Sequence, residues 1–402
     1  MRGGSSKKQL IIIGGGAAGF FLAANLTSKY WDTLILEQSK QPMQKVKISG
    51  GGRCNLTHAC FEPRKLAKFY PRGAKELLSV FSRFQPADTF EWFENKGVAL
   101  KIEEDNRVFP VSDSSQTVID VLMREAEKNE VQARYETAVT DIKTENGKFC
   151  IKTKNEIYFS DSLVIATGSS PKMWTILEKL GHTIVPPVPS LFTFNCQNVL
   201  IQNLAGTSFP EAEISIPKLK IKQFGAVMIT HWGLSGPAIL KLSSLGAREL
   251  HELNYSFTLR INWISEKFDR TVELLVEQKK NNAKKSLYSA KIPQVTNRFW
   301  QNLLQTAGIK EKLWAETGNA DINKIADILT NTNLQISGKS AFKEEFVTAG
   351  GVDLKEIDFK TMQSKLVPNL YFAGEVLNID AITGGFNFQA CWSEAFIISR
   401  NL

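Results

Sequence analysis

Four short runs of apolar residues, each followed by glycine or polar residues, are the strongest pattern along the chain. They occupy residues 10–13, 33–36, 162–165 and 370–373. Such runs are typical of strands buried on both faces of a parallel sheet. A helical pattern follows the first run at residues 20–30, and the last 18 residues, from Gly385, also predict a helix. The two ends of the chain therefore predict one α/β domain.

The middle of the chain has a different pattern. Polar and apolar residues alternate at 213–221 and 255–261, which predicts strands with one exposed face. Residues 266–332 change to helical spacing, and a proline-rich segment at 186–189 precedes the whole region. We therefore expect a mixed β and helical insertion between two pieces of the first domain.

A G-x-G-x-x-G pattern follows the first apolar run. Its glycines and the alanines between them are Gly14, Gly16, Ala17, Ala18 and Gly19. Glycines at this spacing allow a tight turn, close approach of a pyrophosphate and close packing of the next helix. Glu37 ends the second predicted strand, where a carboxylate can accept hydrogen bonds from ribose hydroxyls. The pattern predicts a dinucleotide site.

The other end of the chain indicates which dinucleotide binds. A second G-x-G-x-x-G pattern after a strand is missing, which argues against a separate NAD(P)H domain. Gly374 and Glu375 follow the last predicted strand, and in flavoproteins of this architecture an acid there binds the ribityl chain. A helix opening at Gly385, Phe386 and Asn387 would direct its positive end at the flavin. We therefore expect FAD, with further contacts from Val139, Thr167 and Gly168.

Three further segments carry a family resemblance. They are residues 47–55 (KISGGGRCN), 230–238 (THWGLSGPA) and 348–352 (TAGGV). With the features above, the chain resembles the bacterial BaiN-like flavoproteins, which include proteins described as aminoacetone oxidases. Asn378 and Ala381 depart from that family, in which Asp and Gly are usual.

The resemblance implies a Rossmann-like FAD-binding domain of the two-dinucleotide-binding-domain flavoprotein type, interrupted by a β-barrel-like domain and a small helical domain. We assign residues 1–190 and 340–402 to the FAD-binding domain. Residues 191–265 and 333–339 form the expected β-rich domain on the substrate side, and residues 266–332 the expected helical subdomain.

A glycine-rich loop follows the second predicted strand. Three consecutive glycines, which include Gly51 and Gly52, leave the backbone free to approach a flat ring. Ser49 precedes them, and Arg53 adds a permanent charge with five donors. We interpret the loop as lying along FAD. Cys54 and Cys60 could instead form a redox pair, although a packing role for Cys54 is the simpler interpretation.

His231 is the candidate for acid–base catalysis in the insertion. Histidine is the side chain whose charge changes near neutral pH, and glycines and a proline follow it. The alternative is a histidine that hydrogen-bonds within a turn. Its role in catalysis is therefore a hypothesis.

Composition narrows the class of protein. The chain has 402 residues, 43% hydrophobic, and no apolar stretch of about 20 residues that would span a membrane. The first eight residues are polar and do not resemble a signal peptide, so we expect a cytoplasmic protein. Five scattered cysteines and four histidines predict neither a disulfide framework nor a metal site.

The net charge of +8 favours anionic ligands, but the lysines are dispersed and show no known nucleic-acid module. We therefore expect a small-molecule substrate and no membrane partner, and the sequence disfavours a nucleic-acid partner; the oligomeric state stays open.

The sequence thus favours an FAD-dependent oxidoreductase. Hydride transfer would run through flavin N5 between a small molecule and NAD(P)H or oxygen, with NAD(P)H binding only transiently. Two alternatives remain. One is flavin-linked thiol–disulfide exchange through Cys54 and Cys60, and the other is a non-catalytic FAD-containing protein associated with nucleic acid.

Overall fold

A computed structural model describes residues 7–340 and 347–402. The polar start at residues 1–6, and residues 341–346 of the expected 340–402 piece, lie outside the described residues. The chain divides into a first unit, made of the residues as far as Pro187 with Thr348–Leu402, and a second unit within Val188–Val347. The finer division of the insertion stays a prediction. In the part of the chain described, no helix has the length and hydropathy needed to cross a membrane.

The N-terminal part of the first unit contains both strands and helices. They are β1 (Lys8–Ile13), α1 (Ala17–Asn25), β2 (Trp31–Leu36), α2 (Gln44–Gly52), β3 (Thr57–His58), α3 (Pro63–Leu66), α4 (Ala74–Phe81), α5 (Pro86–Asn95), β4 (Leu100–Ile102), β5 (Arg107–Pro110), α6 (Ser115–Lys128), β6 (Gln132–Arg134), β7 (Val139–Glu145), β8 (Lys148–Thr153), β9 (Ile157–Ser160), β10 (Ser162–Ile165), α7 (Pro171–Lys179) and β11 (Ile184–Ser190).

The remaining elements follow in chain order. Those of the second unit are β12 (Thr193–Asn195), β13 (Ser208–Ile216), β14 (Ile221–Ile229), β15 (Gly233–Ser235), α8 (Pro237–Leu245), α9 (Ala247–Glu252), β16 (Phe257–Asn262), α10 (Phe268–Asn281), α11 (Asn297–Thr306), α12 (Asn319–Asn331), β17 (Thr332–Ile336) and β18 (Gly338–Ser340). Those after it are β19 (Val347–Val352), β20 (Ile357–Asp358), β21 (Gln363–Ser364), β22 (Leu370–Phe372) and α13 (Phe386–Asn401).

The central sheet of the first unit has the order β20-β21-β22-β10-β1-β2-β6. Strand β1 lies between β10 and β2 and pairs with both in parallel, so that Leu10 is level with Ser162 and Thr33. Strands β22 and β6 extend the parallel part on either side. The carboxyl ends of these strands therefore meet at one edge, where open α/β sheets bind their ligands.

The helices against this sheet bury an aromatic core. Phe21 of α1 is fully buried, and its ring centroid lies 5.1 Å from that of Trp392 on α13. Trp92 and Phe84 also contact Phe21, at 4.7 and 5.7 Å. The last helix thus packs against the first one, and both ends of the chain belong to the same unit.

The sheet of the second unit has the order β17-β16-β13-β14-β15-β12-β18. Its first and last strands are consecutive in the chain and are separated only by Ser337, whose N–H donates to the Asn195 carbonyl at 3.0 Å. The sheet therefore curves until its two edge strands, β17 and β18, are joined by a single residue, which gives the barrel-like form expected from the resemblance. Phe209, Trp263 and Phe299 pack together in its core.

Two sequence-based boundaries are wrong. Residues 213–221, predicted as one strand, belong to β13 and β14, because a short 3₁₀ turn at Pro217–Leu219 and a left-handed Lys220 separate them. The first helix, predicted at 20–30, covers Ala17–Asn25 and ends where Leu26 becomes extended.

Candidate functional site

The glycine turn after β1 is fixed by contacts that no side chain would allow. Gly14 has φ +110°, and a Cβ there would lie 2.3 Å from the Ala166 carbonyl oxygen. A Cβ on Gly19 would lie 2.0 Å from the Gly14 carbonyl oxygen. The backbone of α1 therefore lies in direct contact with the turn at the end of β1, as the motif predicts.

Gly16 has a different environment. It has φ −89° and precedes α1, which begins at Ala17 without a side-chain cap. A Cβ on Gly16 would meet nothing within 4 Å. The start of α1, with Ala17 and Ala18, therefore offers helix N–H groups and a positive dipole end beside open space, which suits a phosphate.

Glu37 lies beside this turn. Its Oε2 accepts the Gly15 N–H at 2.6 Å, and its Oε1 accepts the Ser39 N–H at 2.7 Å. The Glu37 carbonyl accepts the Thr137 N–H at 2.8 Å, two residues before Val139, where β7 begins. The structure thus brings Glu37 near the chain leading to Val139. Their contacts with adenosine remain proposals.

The ends of β10 and β22 bring further predicted residues together. The Thr167 hydroxyl is buried and has no hydrogen-bond partner among the described residues. A Cβ on Gly168 would lie 3.8 Å from Oε2 of Glu375. That carboxylate pairs with Lys45 at 2.5 Å, and a Cβ on Gly374 would lie 3.6 Å from the Ala18 Cβ. These residues form one cluster at the carboxyl edge of the sheet.

Glu394 on α13 is hydrogen-bonded to this cluster. It was not among the residues predicted from the sequence. Its side chain is fully buried, and its Oε2 accepts the Gly374 N–H at 2.6 Å. Burial raises its pKa to about 8, although the Gly374 hydrogen bond acts in the opposite direction. An acid within the apolar stretch of residues 390–398 was the available signal, since such an acid must find a buried partner.

The glycine-rich loop continues from α2. Gly50, Gly51 and Gly52 all have positive φ, and a Cβ on Gly51 or Gly52 would meet nothing within 4 Å. Ser49 donates from its hydroxyl to the Val46 carbonyl at 2.8 Å, which ties the loop to the helical part of α2. The loop therefore presents open backbone, as expected for contact with a flat ring.

Arg53 is held by acidic partners. Its Nη1 lies 2.6 Å from Glu103 and 3.5 Å from Asp113, and its guanidinium stacks 4.0 Å from the Phe109 ring centroid. The hydrogen bond to Glu103 raises the pKa of Arg53, although partial desolvation acts in the opposite direction. Its predicted contact with FAD remains a proposal, because the structure shows these protein partners instead.

The start of α13 meets the glycine-rich loop. With its amide oriented to satisfy both neighbours, Asn55 accepts the Gly385 N–H at 3.0 Å. The buried Phe386 ring stacks on His58, with centroids 4.6 Å apart, and the Phe386 carbonyl accepts the Tyr70 hydroxyl at 2.5 Å. Asn387 accepts the Ala381 N–H at 2.9 Å through its side chain. These contacts fix Gly385, Phe386 and Asn387 in place.

A buried ion pair, also missed by sequence reasoning, lies before this helix. Asp380 is fully buried and pairs with Arg72, whose side chain is 13% exposed. The two residues also form an isolated backbone bridge. The pair fixes the segment between Gly374 and Gly385. Because Arg72 and Asp380 are 308 positions apart in the chain, no spacing rule predicts this pair.

The two cysteines differ in environment. Cys54 is fully buried, and burial raises the pKa of its thiol to about 12. Cys60 is partly exposed, and burial also raises its pKa. Because exchange requires a thiolate, these shifts oppose the thiol–disulfide alternative and favour packing for Cys54.

His231 lies in the second unit, in the three-residue loop (230–232) between β14 and β15. The loop is closed by the Thr230 N–H, which donates to the Gly233 carbonyl at 2.8 Å. His231 and Trp232 are both exposed. The Gly233 N–H also donates to the Thr230 hydroxyl at 3.2 Å, so two hydrogen bonds close the turn, and the catalytic role stays a proposal.

The residues at the sheet edge fit a dinucleotide. The open space at Gly16, the uncapped start of α1 and the buried hydroxyl of Thr167 suit a phosphate-bearing ligand. The open backbone at Gly51 and Gly52 adds room for a flat group. The fold and the site together define a Rossmann-type nucleotide-binding protein.

Comparison with known proteins gives the family. The family described as HI0933-like protein Rossmann domain matches residues 8–401. The chain therefore belongs to this family of FAD-dependent oxidoreductases. The expected family, fold class and enzyme class are confirmed.

Three relatives match along almost their whole length. A protein of Escherichia coli (strain K12) named ribosomal RNA dihydrouridine synthase is 29% identical over 92% of this chain and 91% of its own. A Haemophilus influenzae protein of the same name is 27% identical over 95% of both chains. A Clostridium scindens protein named 3-dehydro-bile acid delta(4,6)-reductase is 25% identical over 91% of both.

The two environments of glycine predict opposite effects of alanine. Gly16→Ala should keep the free energy of unfolding within about 1 kcal/mol, since its Cβ meets nothing, but lower FAD affinity at least about tenfold. Gly19→Ala should lower the free energy of unfolding by about 3 kcal/mol, because the new Cβ would overlap the Gly14 carbonyl oxygen. Urea unfolding and FAD titration measure both. Normal FAD affinity in Gly16→Ala would contradict the site.

Glu394 predicts a pH dependence of stability. The pKa of Glu394 is about 8 in the folded protein and 4.5 in the unfolded chain, so the folded protein keeps this proton up to a higher pH. The stability that the protonated Glu394 contributes is complete below about pH 4.5 and is lost as pH rises through 8, a change of about 5 kcal/mol. Glu394→Gln keeps an acceptor for Gly374 and should remove that loss. Parallel stability curves for both proteins between pH 5 and 9, measured by urea unfolding, would refute this.

Proposed function

We propose that this protein is an FAD-dependent reductase that adds hydrogen across the C5–C6 double bond of uridine in ribosomal RNA. One observation carries the proposal: two relatives named ribosomal RNA dihydrouridine synthase match over more than nine-tenths of both chains. The site at the sheet edge supports the FAD part. The proposal replaces the expected small-molecule substrate with an RNA substrate.

The third relative supports the same type of reaction. Its name describes reduction of a bile acid whose double bonds are conjugated with a ketone. The C5–C6 bond of uridine is likewise conjugated with the C4 carbonyl. Reduction of a carbon–carbon double bond next to a carbonyl is therefore the chemistry that the relatives' names share. RNA is favoured because the two RNA-named relatives have the higher identities.

The chain's own residues bind and orient the cofactor. The start of α1 at Gly16 and Ala17 would bind the pyrophosphate, and Glu37 the adenosine ribose. Glu375, held by Lys45, would bind the ribityl chain. The start of α13 would stabilise negative charge on the ring through its dipole.

The reaction balances with one hydride and one proton. FAD, when bound, supplies the carrier for the hydride, and NAD(P)H is the proposed electron source. NAD(P)H is oxidised to NAD(P)⁺ while uridine gains a hydride and a proton. We propose His231 as the donor of that proton, since its imidazole is exposed on a turn fixed by Thr230 and Gly233.

The direct test uses the purified protein with FAD, NADH or NADPH, and protein-free ribosomal RNA from cells that lack this enzyme. Dihydrouridine should form in the RNA, detected by mass spectrometry of nucleosides, and NAD(P)H should bleach the flavin absorbance without oxygen. Flavin bleaching without dihydrouridine would reject the RNA substrate. Failure of both NADH and NADPH to bleach the flavin would reject the electron source.

His231→Asn gives a clean test of proton donation. The side chain is exposed and has no hydrogen-bond partner among the described residues, so the substitution should leave stability and FAD affinity unchanged. Loss of the proton donor should lower kcat about a hundredfold and change its pH profile. Trp232→Phe, a change at the neighbouring exposed position, serves as the control. An unaltered kcat in His231→Asn would assign the histidine to the turn alone.

A further inference from the structure

One stretch of the second unit carries most of its unbalanced positive charge. From residue 279 to 312 the sequence has eight lysines and arginines and one acid, Glu311. The stretch runs from the last turn of α10 through α11 to the segment before α12. Nothing in the cofactor site or the proposed proton transfer uses it.

Hydrogen bonds join the separate segments of this stretch into one surface. The Trp314 N–H donates to the Lys285 carbonyl at 3.0 Å, and the Leu287 N–H to the Lys312 carbonyl at 2.9 Å. The Tyr288 hydroxyl donates to the Ile309 carbonyl at 2.7 Å. The chain around Lys285 is therefore held beside the chain around Lys310.

Gln278 and Lys279 attach the end of α10 to the same surface. The Gln278 side-chain amide donates to the Lys291 carbonyl at 2.8 Å, and Lys279 Nζ donates to the Thr317 carbonyl at 2.6 Å. The lysines after them thus project from a fixed backbone. A fixed backbone lowers the entropic cost of ordering several cations for one partner.

Four lysines of this surface are exposed and have no carboxylate partner among the described residues. We name them the α10 lysine surface: Lys280, Lys284, Lys285 and Lys310. By contrast, Lys312 is paired with Asp321, and Glu311 accepts the Ser286 hydroxyl at 3.1 Å. Lys312 and Glu311 thus already have side-chain partners, whereas the four named lysines are paired with no carboxylate among the described residues.

Helix stability alone does not explain this arrangement. Lysines in the last turn of α10 interact favourably with its negative dipole end, which accounts for Lys279 and Lys280. The effect is confined to that turn, so it does not account for Lys284, Lys285 or Lys310. Their accumulation without acids raises self-repulsion, which an anionic partner would relieve.

We propose that the α10 lysine surface binds the phosphate backbone of the RNA substrate. The inference rests on the proposed function, which supplies a polyanion as the partner. Lysine ammonium groups act on phosphate as flexible point charges, so the surface would contribute affinity without reading base sequence. Selection of the uridine would belong to the cofactor site.

The test compares the whole protein with a Lys280→Gln/Lys284→Gln/Lys285→Gln variant in binding protein-free ribosomal RNA fragments, measured by fluorescence anisotropy across salt concentrations. Three lost phosphate contacts should reduce the slope of log affinity against log salt by about 2 and weaken binding about a hundredfold at 0.1 M salt. Dihydrouridine formation should show a raised KM with kcat retained. The matched control is Lys143→Gln/Lys154→Gln/Lys179→Gln, which removes three exposed lysines of the first unit.

The outcomes separate this inference from the proposed function. If the wild-type protein forms dihydrouridine but both triple variants bind RNA like wild type, the surface is wrong and the function stands. An equal loss in the two triple variants would also reject the surface, because net charge alone would explain it. Loss of binding to anionic lipid vesicles with unchanged RNA binding would assign the lysines to a membrane and overturn the proposal. RNA binding that weakens only in the α10 variant would support the proposal even if no dihydrouridine forms.

Discussion

The rest of the first unit depends on the close backbone contact between Gly14 and Gly19. Because neither residue has a Cβ, α1 begins directly over the end of β1, with its first N–H groups at the sheet edge. Phe21 then lies where α13 can cover it, and Trp392 completes the packing. One steric constraint therefore places the helix dipole, closes the core and joins the two ends of the chain.

The second half of the site depends on the chain after β22. The Glu394 carboxyl group accepts the Gly374 N–H, and the Arg72–Asp380 pair fixes the segment that follows. Buried charged groups are costly unless they are paired or neutral, so their presence here ties the geometry of a loop to that of the core. The site is thus built from a rigid glycine turn and a loop held by buried polar groups.

The sequence patterns predicted those features that depend only on residues close together in the chain. The apolar runs gave β1, β2, β10 and β22, and the glycine spacing gave the turn before α1, since both depend on neighbouring residues. The Glu375–Lys45 pair, the Arg72–Asp380 pair and Glu394 depend on residues far apart in the chain, and no spacing rule reaches them. A local pattern also misled at Lys220. Polar and apolar residues keep alternating there, although the left-handed backbone of Lys220 forms a turn between two strands.

The central claim is that this chain holds FAD at the carboxyl edge of its parallel sheet. The most direct measurement is the visible absorption spectrum of the purified protein, followed by equilibrium titration with FAD. The account predicts flavin absorption bands and saturation at one FAD per chain. A colourless protein that stays unable to bind added FAD would contradict it.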